Sequence, residues 1–327
     1  MRIGKGGTAM KVRPAGVRVW FDRRSLSLKN RAVKLSGNLL IYLIFVAIAF
    51  MILFPLFEKA TVLFKSEADL LDNTVKYIAK EPSFDIFRRT VGAIDYWGTL
   101  GRSLLLSLTV SVLEVLSSTF IAYGFARFKF AGRSLLFGLV IFTLIIPPQV
   151  LMSSMYLNFR YFDFLGIVSL IRGEGLNMIN TVTPFLIMAV TGLGIKNGLY
   201  IYMLRQFFRN LPTEFEEAAY IDGAGVYRTF FTVMLPNART IMASVFLFAF
   251  SWQWTDSNIT PLLLQDYLTI PGALASLETY QRNILQPVVR SAMIDSAILL
   301  AIAPLIVLFI CGQRFFVQGI ERSGIVG

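Results

Sequence analysis

Glu217-Ala218-Ala219, then Gly223, then Val233, Leu235 and Pro236 make the most suggestive spacing in this chain, E-A-A-x3-G-x9-V-x-L-P. The chemistry such a set can do is docking, not bond making. Glu217 offers a charge to a basic partner residue, and two methyl-sized neighbours leave a thin ridge that another protein can approach closely. Thr213 and Glu216 have the spacing of a capping box, with Pro212 ahead of them to stop the preceding helix. A helix is therefore predicted from about Glu214, with Phe215, Ala218 and Ala219 on one face. Asp222-Gly223-Ala224-Gly225 breaks it, because glycine reaches positive φ at little cost. A second amphipathic segment over 226–235 leads to Pro236, where a further helix opens.

Other chemistry is thinly represented. The 327 residues contain no His, which excludes imidazole catalysis and His-ligated metal, and no metal site is expected. The single Cys311 cannot form an internal disulfide and reads as a small apolar side chain. Nothing resembles G-x4-G-K-[ST], so the chain does not bind ATP through a P-loop and no cofactor of its own is expected. The net charge of +11 is spread in a way that fits a membrane better than nucleic acid.

The elements that must position the 213–236 segment are membrane spans. The chain is 55% hydrophobic with mean hydropathy +0.64, and 39–57 and 134–159 carry no charge at all. About 20 apolar residues cross a bilayer core as a helix, and lipid leaves the backbone no other choice. Six spans are predicted over roughly 38–57, 102–125, 134–158, 179–204, 237–255 and 292–316. The first follows a basic tail (1–37) without a small-residue cleavage site, so it is expected to be retained. That tail is either an interfacial stretch from Trp20 onward or disordered. The loop 58–98 carries Leu70, Leu71, Val75 and Ile78 at helical spacing, which predicts an amphipathic helix over 66–80. It is either a contact for a binding protein or a solvated connection.

Lys and Arg favour the inner side by nineteen to eleven, with the N-terminus placed inside. Both termini and the Glu217 loop then fall in the cytoplasm.

Polar groups within spans mark a path or a packing seam. Pro147-Pro148 breaks the third span, followed by Gln149, Ser153, Ser154 and Asn158, which reads as a cavity wall or as a packing kink. Trp252-Gln253-Trp254 suits a sugar, but Trp at a membrane interface is commonplace and is the favoured reading. Glu114, Lys196 and Asp295 are isolated charges for which pairing across helices is favoured over contact with a solute.

The spacing around Glu217 resembles the loop of permease subunits in binding-protein-dependent ABC importers. Leu204-Arg205-Gln206-Phe207-Phe208, Glu216-Glu217-Ala218-Ala219, Ile221-Asp222-Gly223-Ala224 and Gln313-Arg314-Phe315-Phe316 are similar to the sugar-uptake branch, in particular the second permease subunit of maltose-type importers. The resemblance covers about 38–327 and leaves the long basic tail without a counterpart. It implies an all-α, six-span type I permease with a cytoplasmic coupling helix, in a bacterial cytoplasmic membrane. It implies a homologous permease as partner in a heterodimer, two ATPase subunits holding ATP and Mg, and an extracytoplasmic solute-binding protein. Glu217, Ala218, Ala219 and Gly223, with Leu235 and Pro236 behind them, would then sit in a cleft of the ATPase, and 317–327 would reach between the ATPases. Gln149, Ser153, Asn158, Trp252 and Gln253 are the candidates for the translocation path. A permease for an amino acid, peptide or anion remains open, as does a membrane channel or enzyme.

Overall fold

The computed structural model describes residues 16–280 and 286–324. It is built from helices, and among the described residues the only extended pairing is an isolated bridge between Phe162 and Leu176. Residues 1–15 and 325–327, the ends of the two expected tails, lie outside the described residues. The chain divides into two units, Met1–Glu58 and Lys59–Gly327.

The first unit is carried by α1 (Gly16–Val62), one helix that runs on into the second. Its stretch Leu35–Val62 has a mean hydropathy of 2.9, and side chains such as Phe45 and Met51 are exposed along it. A long helix this apolar has the composition that a lipid-facing span requires. Helix also continues through 16–37, part of the segment read as interfacial or disordered.

In the second unit, α2 (Glu67–Leu71) and α3 (Asp85–Ala93) precede α4 (Tyr96–Arg127). The helix expected over 66–80 is a correction: only α2 forms. Leu71 and Ile78 are exposed, and the segment folds instead around two buried charged side chains. Lys65 donates to the carbonyls of Val75 and Lys76 at 3.2 and 2.8 Å, and Asp69 accepts the N–H of Glu81 at 3.1 Å. These bonds satisfy backbone groups that a helix would otherwise pair. The amphipathic helix of this loop is α3, whose Ile86 and Thr90 are buried.

α4 is the central span. Thr99, Ser103, Ser107, Ser111 and Thr119 form a buried seam along it. Small side chains there let neighbouring helices approach closely. Some of their hydroxyls bond within the helix, as from Thr119 to the Val115 carbonyl at 2.6 Å, while Ser103 Oγ accepts the Ile270 N–H of a later helix at 2.8 Å.

The expected third span is two helices, α5 (Arg133–Ile145) and α6 (Pro148–Arg160), bent by 106°. Pro147 and Pro148 cannot donate to a continuous ladder. α7 (Ile167–Arg172) follows. The expected fourth span is also divided, into α8 (Thr183–Thr191) and α9 (Asn197–Asn210). Gly192 ends α8 with φ +71°, the left-handed terminus that glycine favours. Counted by length and hydropathy, the described residues hold four helices able to cross a membrane, or five if the bent pair is one span. The third expected span is thus broken at Pro147-Pro148, as expected, the fourth is broken as well, and the all-α membrane architecture stands.

α10 (Glu214–Ile221) and α11 (Val226–Thr229) lead into a π turn over Phe230–Met234 and then α12 (Leu235–Trp254). α13 (Ile259–Leu263), α14 (Ile270–Tyr280) and α15 (Pro287–Gly324) complete the unit. Tyr123, Tyr200, Leu204, Phe208, Phe230 and Met234 belong to one core between α4, α9 and α12. A second core joins α3, α12, α14 and α15 around Phe250, Trp254 and Met293. Asp295 on α15 pairs with Lys59, so this intramembrane charge is satisfied across helices.

Candidate functional site

Two regions hold the residues of interest: the hairpin after α9 and a cavity near the far end of α12.

In the hairpin, the turn behaves as expected. Gly223 has φ +79° with open space around its Cα, and Ala224 donates to the carbonyl of Ala219 at 2.9 Å. The helix start does not. Thr213 makes no side-chain cap, and its carbonyl instead accepts the N–H groups of Glu216 and Glu217 at 3.0 Å.

Glu216, expected to close the capping box, is buried and turned into the body of the protein. There its Oε1 accepts the Tyr123 hydroxyl at 2.7 Å, and its Oε2 lies 3.0 Å from Arg127 Nε. The Nε–H is not aligned for a hydrogen bond, so this contact is an ion pair. Arg127 also donates to the Leu211 carbonyl at 2.7 Å. Three groups thus clasp the hairpin to the end of α4. The i, i+4 spacing of Tyr123 and Arg127 was the one available signal, and sequence reasoning missed it.

Glu217, by contrast, is exposed, and its side chain makes no hydrogen bond or ion pair among the described residues. The two alanines differ in burial, Ala218 exposed and Ala219 8% exposed, but both line one cleft with Phe215, as the expected shared face requires. Arg228 and Val233 also line this open cleft of about 550 Å³. Ile221 and Tyr227, 86% and 83% exposed, extend this apolar surface. Leu235 is half-buried and Pro236 exposed, at the start of α12. Pro236 does not start a new helix. The π turn carries the helix past it, with Leu235 donating to the Phe230 carbonyl five residues back. Asn237 donates its amide to the Val233 carbonyl at 2.8 Å.

The cavity, about 360 Å³, brings together Glu114, Gln149, Lys196, Trp252, Gln253 and Asp256 from α4, α6, α12 and the turns before α9 and after α12. The break after α5 supplies Pro148 and Gln149, so the kink forms part of the wall. Lys196 Nζ sits 4.8 Å above the Trp252 ring, a cation–π contact. Trp252 in turn stacks on Tyr200 and Phe248, each at 5.9 Å. Gln253 donates to Thr260 Oγ1 at 3.1 Å, and Asp256 caps α13 by accepting the Thr260 N–H at 2.7 Å. Trp254 points away, buried, with its indole N–H on the Ala301 carbonyl at 3.0 Å. Ser153 and Asn158 are exposed on α6 and do not line the cavity. Of the five candidates, Gln149, Trp252 and Gln253 are brought together.

Residues 114–322 match the family described as the inner membrane component of binding-protein-dependent transport systems. The chain belongs to this family. As a binding-protein-dependent transport permease it is a multi-pass membrane protein and not an enzyme. Among curated relatives, this permease is 28% identical over 290 residues to the arabinooligosaccharides transport system permease protein AraQ of Halalkalibacterium halodurans, covering 86% of this chain and 94% of that one. It is 27% identical to the maltodextrin transport system permease protein MdxG of Bacillus subtilis, covering 90% and 98%. It is 30% identical to the alpha-glucoside transport system permease protein AglG of Rhizobium meliloti, covering 70% of this chain and 57% of that one. A crystal structure of a bacterial ABC transporter involved in import of the acidic polysaccharide alginate contains a chain of the same fold. Its TM-score is 0.69 at 18% identity, with 88% of this chain and 98% of that chain covered.

Proposed function

We propose that this permease is one membrane subunit of an ATP-driven importer for a carbohydrate of the oligosaccharide class. It forms half of the translocation path beside a homologous permease, in a bacterial cytoplasmic membrane with both termini and the hairpin inside. Two ATPase subunits hold ATP and Mg and grip the hairpin, and a solute-binding protein delivers sugar at the opposite face.

The observation that carries the reading is the contrast between adjacent glutamates. Glu216 is clasped to α4, while the Glu217 side chain is exposed and unpaired among the described residues. A lever needs one end fixed and one end free. ATP-driven closure of the ATPases shifts the hairpin, the clasp passes that shift to α4, and α4 carries Glu114 at the cavity. Such a contact drives transport only if it differs in free energy between the inward- and outward-facing states. Gly223, Leu235 and Pro236 shape the hairpin, and Ala218 with Phe215 supplies the ridge that docks.

The sugar assignment rests on relatives named for oligosaccharide transport and on the cavity's composition. The Trp252 face and two amides suit a polyhydroxylated ring, which stacks on aromatics and exchanges hydrogen bonds. A second reading, an anionic polyol phosphate, is favoured by Lys196 in the cavity. It also draws on 28% identity to the sn-glycerol-3-phosphate permease UgpE of Yersinia enterocolitica. Uptake of radiolabelled neutral oligosaccharides and of glycerol 3-phosphate, in cells with and without this chain, decides between them. Chain-dependent accumulation of an oligosaccharide supports the first reading, and accumulation of the phosphate alone overturns it.

A further inference from the structure

We propose that a cationic recess between the α4–α5 turn and α9 binds the headgroup of an anionic phospholipid. The recess measures about 760 Å³, and Lys129, Phe130, Arg133, Ser134, Phe137 and Arg205 line it. It contains three cations and no carboxylate.

Among the described residues, none of the three cations is neutralised. Arg205 lies flat on the Phe137 ring at 3.7 Å and donates Nε–H to the Phe125 carbonyl at 3.4 Å. Its two terminal amino groups find no acceptor among the described residues. Arg133 donates to the Phe128 carbonyl at 3.0 Å, and Lys129 has no partner among the described residues. Arg133 and Arg209 act on Arg205 as like charges. A phosphodiester relieves that repulsion, and guanidinium groups match its oxygens with paired donors. α5 also begins at the recess. Gly132 is its N-cap without a side-chain cap, no acid stands in its first turn, and the Ser134 hydroxyl lines the recess beside it.

Two features select a lipid over a soluble anion. The recess lies at the Arg127 end of α4, where a span meets water. From it, α5 exposes Leu135, Leu139, Phe142 and Ile145 along its length. Cations at the boundary with an apolar track leading from them fit a headgroup with its acyl chains attached. A free phosphate would use only the first of these.

The test is native mass spectrometry of the full chain in detergent, with phosphatidylglycerol and phosphatidylcholine offered in equal amounts. The wild type is expected to retain phosphatidylglycerol selectively. Joint substitution Lys129→Gln and Arg133→Gln should lower that retention on the order of 25-fold, since each basic residue near an anionic surface weighs about fivefold. Lys129→Arg with Arg133→Lys should keep it, and Arg160→Gln with Arg172→Gln, outside the recess, should leave it unchanged. Should the double glutamine variant aggregate, Lys129→Gln alone is read the same way, with roughly a fivefold loss. Equal loss from the recess and remote pairs overturns the proposal. Displacement of the lipid by free glycerol 3-phosphate also overturns it, in favour of a soluble anion. Neither result bears on sugar uptake, so this proposal and the proposed transport function fail separately.

Discussion

Tyr123 and Glu216, 93 residues apart, meet in a buried hydrogen bond of 2.7 Å that ties the hairpin to α4. With Arg127 3.0 Å from the other carboxylate oxygen, Glu216 holds two residues of one helix turn at once. Helices joined only by apolar contact can slide, whereas directional bonds fix register. Tyr123→Phe removes one bond to a charged acceptor, which costs about 1.5–3 kcal/mol. Glu216→Ala leaves Arg127 buried without its counter-charge, at about 3–5 kcal/mol. Thermal unfolding in detergent should rank them in that order below the wild type, and ATP hydrolysis by the assembled importer should persist more than uptake does.

At the hairpin tip, the constraint is backbone conformation alone. Nothing lies within 4 Å of a Cβ placed on Gly223, yet its φ of +79° disfavours any L side chain. Gly223→Val should therefore leave membrane insertion intact, cost about 1–2 kcal/mol locally, and abolish uptake by reshaping the tip. Gly223→Asn, which tolerates the left-handed region better, should retain more uptake than valine. Immunoblotting of membranes beside uptake separates insertion from coupling.

Gly198 makes the opposite case, because space is the constraint. A Cβ there would stand 2.5 Å from Thr143 Oγ1 and 2.9 Å from the Val140 carbonyl on α5. Gly198→Ala should destabilise by about 1–3 kcal/mol through overpacking. Gly225→Ala, with open space, should not. Melting temperatures of the two variants check this.

The two tryptophans of Trp252-Gln253-Trp254 are predicted to separate function from stability. Trp254 is 2% exposed, so Trp254→Ala should cost about 3–5 kcal/mol and lower the amount of folded protein. Trp252→Ala should keep the fold but raise the KM for uptake, because its ring faces the cavity.

How much of this was legible in the sequence differs by element. The helical class and the hairpin turn were readable because hydropathy and glycine act locally. The burial of Glu216 was not, because a capping box and a tertiary clasp require the same residue at the same place. Only α4 packing nearby decides between them. The splitting of the third and fourth expected spans was partly visible in Pro147-Pro148 and in Gly192, Gly194 and Gly198. Hydropathy averages over such breaks, so 179–204 read as one helix and 134–158 as one span with a proline break. Lys196, Glu114 and Trp252 looked like isolated groups on separate spans, and they meet because those breaks fold their helices together. Ser153 and Asn158 were chosen by proximity to the kink, but α6 turns them outward.

The coupling role of Glu217 is tested most directly by placing a photo-crosslinking residue at that position in the full chain and irradiating intact cells. The account predicts a crosslink to a nucleotide-hydrolysing subunit whose yield changes when ATP is depleted. It also predicts that a cysteine at 217, in a Cys311→Ser background, resists a membrane-impermeant maleimide applied from outside. Ready labelling from outside, or a crosslink pattern with no ATPase in it, would contradict the account.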